Sequence, residues 1–262
     1  MTDIELGALA AEIALEAGEL AARRRREGVH LAATKSTLAD IVTDADREVE
    51  ALIRDRLAAE RPDDGFLGEE SGAAGGTSGF TWVVDPIDGT VNYSYGIPAY
   101  SVSIAVVEGT PEPEAWSGVA GAVCAPALGE LFTAVRGEGA WHDGRRLAVT
   151  SGTPAGALLA TGFGYDPATH DGDLATVRRV MTMARDLRRM GSAAIDLSYV
   201  AAGRLDGFFE RGLNAWDFAA GAILVAEAGG AVTRLELDSR RPLLYAGGSE
   251  VHARLGALLA DG

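Results

Sequence analysis

The nonapeptide Trp82-Val83-Val84-Asp85-Pro86-Ile87-Asp88-Gly89-Thr90 joins an apolar strand to two carboxylates three residues apart. Pro86 stiffens the backbone between them, and Asp88-Gly89-Thr90 can turn the chain into a short helix. Acidic side chains at a strand end can share hard cations, which prefer oxygen ligands. The Ile87 carbonyl can add a further oxygen, and amides at the following helix start can hold a phosphate. A single Asp-Gly is more simply a turn with a capping aspartate. The whole nonapeptide is more specific than that.

Three acidic sites can join it from outside. Gly68-Glu69-Glu70-Ser71 follows a short strand over Gly65–Leu67. Asp40-Ile41-Val42-Thr43-Asp44-Ala45-Asp46 precedes a helix whose Val49, Leu52, Ile53 and Leu57 share one face, with Pro62 just beyond its end at Glu60. Its aspartates lack the spacing of an EF-hand loop. Asp217, after Trp216, starts a late apolar helix and read alone is a candidate N-cap. Taken singly, each of these acids also reads as a cap or a solvated charge.

The remaining elements alternate in type. Ile4–Arg26 predicts a long amphipathic helix, with the basic run Arg23–Arg26 at its negative dipole end. Strands are predicted at 29–34, 81–84, 102–107, 118–124 and 131–135, and the Asp143-Gly144 pair marks a turn. The Gly-rich stretch 72–79 reads as a loop. In the second half the expected strands are 158–160, 205–209 and 231–235. The expected helices there are 176–185, 193–202, 219–228 and 251–259. The weakest boundary falls in the Ser-, Thr-, Gly- and Pro-rich segment 150–156, which separates an expected N-terminal metal-binding α+β half (1–150) from a C-terminal α/β half (151–262). No fixed-period repeat appears.

Composition excludes several classes. Lysine and arginine total 23 against 38 aspartates and glutamates, a net charge of −15, which repels nucleic acid and anionic lipid. It also suits a phosphorylated ligand poorly unless bound divalent cations reverse the local field. No apolar run approaches the ~18 residues of a membrane span, and the acidic N-terminus lacks a signal-peptide pattern. The expected compartment is the cytoplasm. Cys124 is the only cysteine, so disulfides within the chain and thiolate zinc clusters are ruled out; its apolar context predicts a buried small hydrophobe. The four histidines are scattered, and Gly-x-Ser-x-Gly, Walker and dinucleotide motifs are absent.

Together, Gly68–Ser71, Asp85–Thr90 and Trp216-Asp217 running on to Gly229-Gly230 resemble the inositol monophosphatase family, within the lithium-sensitive, magnesium-dependent phosphatase superfamily. The resemblance runs in order over nearly the whole chain. It implies a layered α-β-α-β-α sandwich of mixed α/β (α+β) class, with an antiparallel-rich sheet first, a mixed sheet second and the active site between the halves. It implies that Glu69, Asp85, Asp88, Asp217 and the Ile87 carbonyl bind two or three Mg²⁺. Thr90 would hydrogen-bond the attacking water, Asp46 would serve with it as proton acceptor, and Glu69 would share the catalytic work. Lys35 matches a lysine near the site. The amides of Gly89 and Thr90 would bind phosphate beside Asp88 and Asp217. Gly191, Ser192, Ala193 and Glu210 would surround the alcohol moiety. Inhibition by lithium and a homodimer follow from the family alone.

The expected activity is hydrolysis of inositol 1-phosphate, a small phosphorylated metabolite. Histidinol phosphate, fructose 1,6-bisphosphate and 3′-phosphoadenosine 5′-phosphate are rivals, because relatives share the metal core and fold does not choose between them. A non-enzymatic regulatory protein that keeps the metal site is the alternative from another class.

Overall fold

The computed structural model describes residues 1–29, 31–34, 41–109, 112, 115–153, 155–236 and 241–260. Helix α1 (Asp3–Glu27) opens with Thr2 and Glu5 capping each other reciprocally and ends on Arg24, Arg25 and Arg26. Strands β1 (Leu31–Thr34) and β2 (Ile41–Thr43) pair antiparallel and lead into α2 (Asp44–Glu60). The first large sheet is built from β3 (Gly65–Gly68), β4 (Gly72–Ala74), β5 (Phe80–Asp88), β6 (Ser101–Gly109), β7 (Trp116–Ala125), β8 (Glu130–Val135), β9 (Gly139–His142) and β10 (Arg145–Arg146). A one-and-a-half-turn helix, α3 (Thr90–Tyr95), leaves β5. The sheet order is β10-β9-β8-β7-β6-β5-β3-β4; every neighbouring pair is antiparallel except β3 with β5.

The second half contributes β11 (Ala157–Thr161), α4 (His170–Val180), β12 (Ala184–Arg188), α5 (Ala193–Ala201), β13 (Gly207–Arg211), α6 (Ala215–Glu227), β14 (Ala231–Leu235), β15 (Leu243–Gly247) and α7 (Ser249–Leu259). Its five-stranded sheet runs β12-β11-β13-β15-β14, parallel through β12, β11 and β13 and antiparallel beyond. The expected layering is therefore present. Leu6, Ile13, Ile53, Trp82 and Ile104 lie in one core between α1, α2 and the first sheet. A second core holds Val123, Phe132, Leu197, Phe208 and Leu224, with α5 and α6 between the two sheets. A third, with Leu159, Val180, Phe209 and Leu255, seals α4 and α7 onto the outer face of the second sheet. Gly121 of β7 lets α6 approach closely, since a Cβ there would stand 2.9 Å from the Ala220 carbonyl oxygen. Cys124 is buried, as its context predicts.

Several elements differ from the sequence reading. The helix expected at 176–185 is α4, which begins at His170 and stops at Val180; Ala184–Arg188 is instead edge strand β12. Asp171 and Asp173 in the first turn mark the true start. The Gly-rich stretch 72–79 is not all loop, because Gly72–Ala74 folds back on β3 as β4. Helix α6 begins at Ala215, four residues before the expected start, so Asp217 lies inside the first turn and Asn214 takes the N-cap position. Strand β5 continues through Pro86 to Asp88, and β15 had no counterpart in the reading. Among the described residues, no helix is long and apolar enough to cross a membrane.

Candidate active site

Two features of the first sheet bring its acids together. Strands β3 and β5 run parallel with Gly68 beside Val84, and the Glu69 amide donates to the Val84 carbonyl at 3.2 Å. Glu69 therefore leaves its strand next to Asp85. In a regular strand, residues three apart point to opposite faces. Here Asp85 pairs with Ser103 while Asp88 pairs with Ser101, so β5 spends one extra residue at Pro86-Ile87. Proline donates no ladder hydrogen bond, so it is tolerated at such a bulge. The bulge turns Asp85 and Asp88 toward the same cavity.

That cavity, about 350 Å³, lies at the seam of the two halves. It is lined by Glu69, Asp85, Ile87, Asp88, Gly89 and Thr90 from the first half, and by Gly191, Ser192, Ala193, Glu210 and Asp217 from the second. Asp46 lies one step behind the lining. Its Oδ1 is 3.3 Å from Thr90 Oγ1, which also donates to the Ile87 carbonyl at 3.0 Å. Asp46 is the third residue of α2, where Thr43 N–H donates to its Oδ2 at 2.8 Å. The same capping that starts the helix thus fixes this carboxylate under Thr90. Lys35 and Asp40 lie outside the described residues.

The second half grips the first through Asp88. Ser192 Oγ and the Ala194 amide donate to Asp88 Oδ2 at 2.6 and 2.7 Å, from the N-terminus of α5. Asn92 of α3 adds a tie, donating to the carbonyls of Ala99 and Met190 at 2.7 Å each. Asp217 is held by the Asn214 amide, 2.6 Å from its Oδ2.

The electrostatics follow from this crowding. Burial, then Glu69, Asp88 and Asp217, pushes Asp85 well above the ordinary carboxylate range. Asp217 is raised for the same reasons, with burial first. Asp88 is raised to about 6 by burial, with the Ser192 and Ala194 hydrogen bonds holding it down. Asp46 is pushed up to about 7, again chiefly by burial. Asp85 Oδ1 is buried and has no hydrogen-bond partner among the described residues. A cation fits that orphaned oxygen and its acidic neighbours. Among the described residues, no three of His, Cys, Asp or Glu close into a compact metal cage. An open, carboxylate-lined cavity instead suits a hard divalent cation that keeps several of its waters.

Residues that the sequence reading did not single out complete the walls. Gly162, after β11, makes room for Glu210: a Cβ there would fall 2.1–2.2 Å from the Glu210 carboxylate. Burial raises Glu210 to about 8, with Arg189 opposing the shift. Arg189, Tyr165 and Asp196 also border the cavity. Asp196 carried a local signal, as the only charged residue of an apolar helix. The dependence of Glu210 on Gly162 carried none, since Gly162 follows β11 and Glu210 lies in β13, 48 residues on, and only the pairing of those strands brings them together.

An acid-walled cavity at the seam of an α-β-α-β-α sandwich defines a phosphoric monoester hydrolase of the sugar-phosphatase type. The inositol monophosphatase family profile matches residues 4–260. An inositol-1-monophosphatase of Rhizobium meliloti is 44% identical over 225 residues, covering 84% of this chain and 82% of its own. The Nus factor SuhB of Pasteurella multocida is 42% identical over 228 residues, covering 86% and 83%. The crystal structure of the extragenic suppressor protein suhB from Bartonella henselae superposes with a TM-score of 0.87 at 37% identity, covering 98% of this chain and 99% of that one. The chain belongs to the inositol monophosphatase family.

Proposed function

We propose that this protein is a Mg²⁺-dependent phosphomonoesterase that hydrolyses a polyol phosphate, with myo-inositol 1-phosphate as the leading substrate. The observation that carries the proposal is Asp85 Oδ1, buried without a partner among Glu69, Asp88 and Asp217. Four carboxylates this close repel one another unless cations join them. Glu69, Asp85, Asp88, Asp217 and the Ile87 carbonyl would hold those ions. Two Mg²⁺ match the four negative charges; a third makes the site positive and suits it to an anion despite the chain's net charge of −15. When bound, the metal supplies Lewis acidity that lowers the pKa of water and takes up charge on the phosphoryl oxygens.

The chain's own groups do the rest. Thr90 Oγ1 orients the attacking water and relays a proton toward Asp46, whose carboxylate, raised to about 7, is suited to accept it near neutral pH. Asp88 and Asp217 flank the phosphate while the Gly89 and Thr90 amides donate to it. Gly191, Ser192 and Ala193 frame the alcohol, and Glu210 accepts from its hydroxyls. Residues 1–150 then carry most of the metal site, and 151–262 add Asp217 and the alcohol-binding wall. A cytoplasmic homodimer inhibited by lithium belongs to the same reading.

The test is phosphate release from myo-inositol 1-phosphate, histidinol phosphate, fructose 1,6-bisphosphate and 3′-phosphoadenosine 5′-phosphate, compared by kcat/KM. Activity should vanish with a chelator, return with Mg²⁺, and be largely lost in Asp85→Asn. Turnover that persists in chelator refutes the metal mechanism. A folded, Mg²⁺-loaded protein inactive on every ester would favour a second, regulatory reading, for which the relative named Nus factor SuhB is the motivation.

A further inference from the structure

Helix α5 (Ala193–Ala201) is almost wholly buried, and Asp196 is its only charged residue. Asp196 is 1% exposed, and its Oδ1 is enclosed without a hydrogen-bond partner among the described residues. By contrast, Ser198 on the same helix satisfies itself on the Ala194 carbonyl at 2.7 Å. Asp196 nevertheless borders the candidate active cavity, on the side shared by Glu210 and Arg189. The charged groups facing it are Glu210 and Asp88, which repel it, and Arg189, which stands exposed and attracts it.

A purely structural role accounts poorly for such a residue. Its place in the first turn gains something from the helix dipole, but that gain is smaller than the cost of a buried carboxylate lacking a donor. An apolar side chain would pack there as its neighbours Ile195 and Leu197 do. A buried polar atom left unpaired calls for an explanation, and at a cavity wall a partner that arrives with the ligand supplies one.

We propose that Asp196 is a specificity-determining residue that accepts a hydroxyl of the polyol moiety, beside Glu210. This inference rests on the polyol-phosphate reading above. Glu210 comes from the second sheet and Asp196 from the helix layer, so they form two acceptors on separate rigid elements. Two such acceptors fix the orientation of a ring bearing several hydroxyls, which one acceptor cannot do. The ligand class is a cyclic polyol monophosphate with at least two free hydroxyls near the ester.

The experiment compares wild type, Asp196→Ala and Asp196→Asn, full chain with Mg²⁺, on myo-inositol 1-phosphate and on p-nitrophenyl phosphate. The alanine variant should lose about tenfold or more in kcat/KM on the inositol ester, mainly through KM, and stay within about twofold on the aryl ester. Asp196→Asn, which keeps one acceptor, should lose less. Thermal unfolding in chelator should give Asp196→Asn a Tm equal to or above that of wild type, because the substitution removes a buried carboxyl group whose ionisation burial and its acidic neighbours oppose. An equal loss on both esters with a lowered Tm would mean a structural role and overturn the inference. A polyol preference that survives both substitutions overturns it as well, and leaves the substrate reading standing. A wild-type enzyme with no preference for the inositol ester sinks both.

Discussion

Replacing Gly162 with alanine should damage polyol recognition while sparing phosphate chemistry. Gly162 is outside the left-handed region, so alanine meets no backbone strain there. The cost comes from contact alone. A Cβ would stand 2.1 Å from Glu210 Oε1 and 2.2 Å from its Cδ and Oε2, whereas ordinary contact begins at 3.4 Å. The Glu210 carboxylate must therefore move by about 1.3 Å, the difference between 3.4 and 2.1 Å. A displacement of that size breaks hydrogen bonds whose lengths vary by only a few tenths of an ångström. Losing one such contact and leaving a buried carboxyl group unpaired costs about 1–3 kcal/mol, a fall of roughly 5- to 150-fold in kcat/KM. The assay is kcat/KM on myo-inositol 1-phosphate beside p-nitrophenyl phosphate, with Glu210→Gln as the comparison. Gly162→Ala should resemble Glu210→Gln on both esters. An unchanged rate on the inositol ester, or an equal fall on both, refutes the reasoning.

Thr90→Ala should lose about 10²-fold or more in kcat with little change in the Mg²⁺ concentration required, because its hydroxyl acts on the proton and not on the metal; Thr90→Ser should keep much of the rate, and wild-type turnover in the alanine variant would contradict the Thr90–Asp46 relay. Lithium should inhibit, and Ca²⁺ should fail to replace Mg²⁺ because its larger, looser shell suits the site poorly; full turnover with Ca²⁺ would count against a tight site. In metal-free protein, burial raises Asp88 from 3.8 to about 6 and Glu210 from 4.5 to about 8. The folded state then keeps protons that the unfolded chain releases, so these groups lower stability as pH rises from about 4 to about 8. Mg²⁺ binds only the folded, deprotonated cluster. The Tm difference between Mg²⁺ and chelator should widen over that range, and a difference that narrows would contradict the assignment.

The parts of the site most legible in the sequence are those written in consecutive residues. Asp85 to Thr90 carry their own strand, bulge and helix start, and Gly68–Ser71 ends a strand in the same way. Asp46 was legible only through the family resemblance; the reciprocal cap between Thr43 and Asp46, which fixes its place, came from the structure. The misplaced elements lack such local marks. Strand β12, Ala-Arg-Asp-Leu-Arg, sits at a sheet edge with three of its five side chains exposed, so no alternating burial pattern sets it apart from the helix before it. Strand β15 is buried throughout, and a short continuous apolar run does not declare its period.

What the sequence cannot carry is the seam itself. Asp88 is shaped by its own bulge, but its Oδ2 is held by Ser192 and Ala194, more than 100 residues away. Glu210 depends in the same way on the missing side chain of Gly162. The first contact needs α5 packed between the two sheets, and the second needs β11 and β13 paired side by side in one sheet, Thr161 against Phe209. Motif residues therefore suffice to place the chain in its phosphatase family. The proposed selectivity for the alcohol would draw on Asp196, Glu210 and Gly162, which come together around the cavity only in the folded chain. A sequence can match the metal motif completely and still leave its substrate open, because the two properties reside in different kinds of contact.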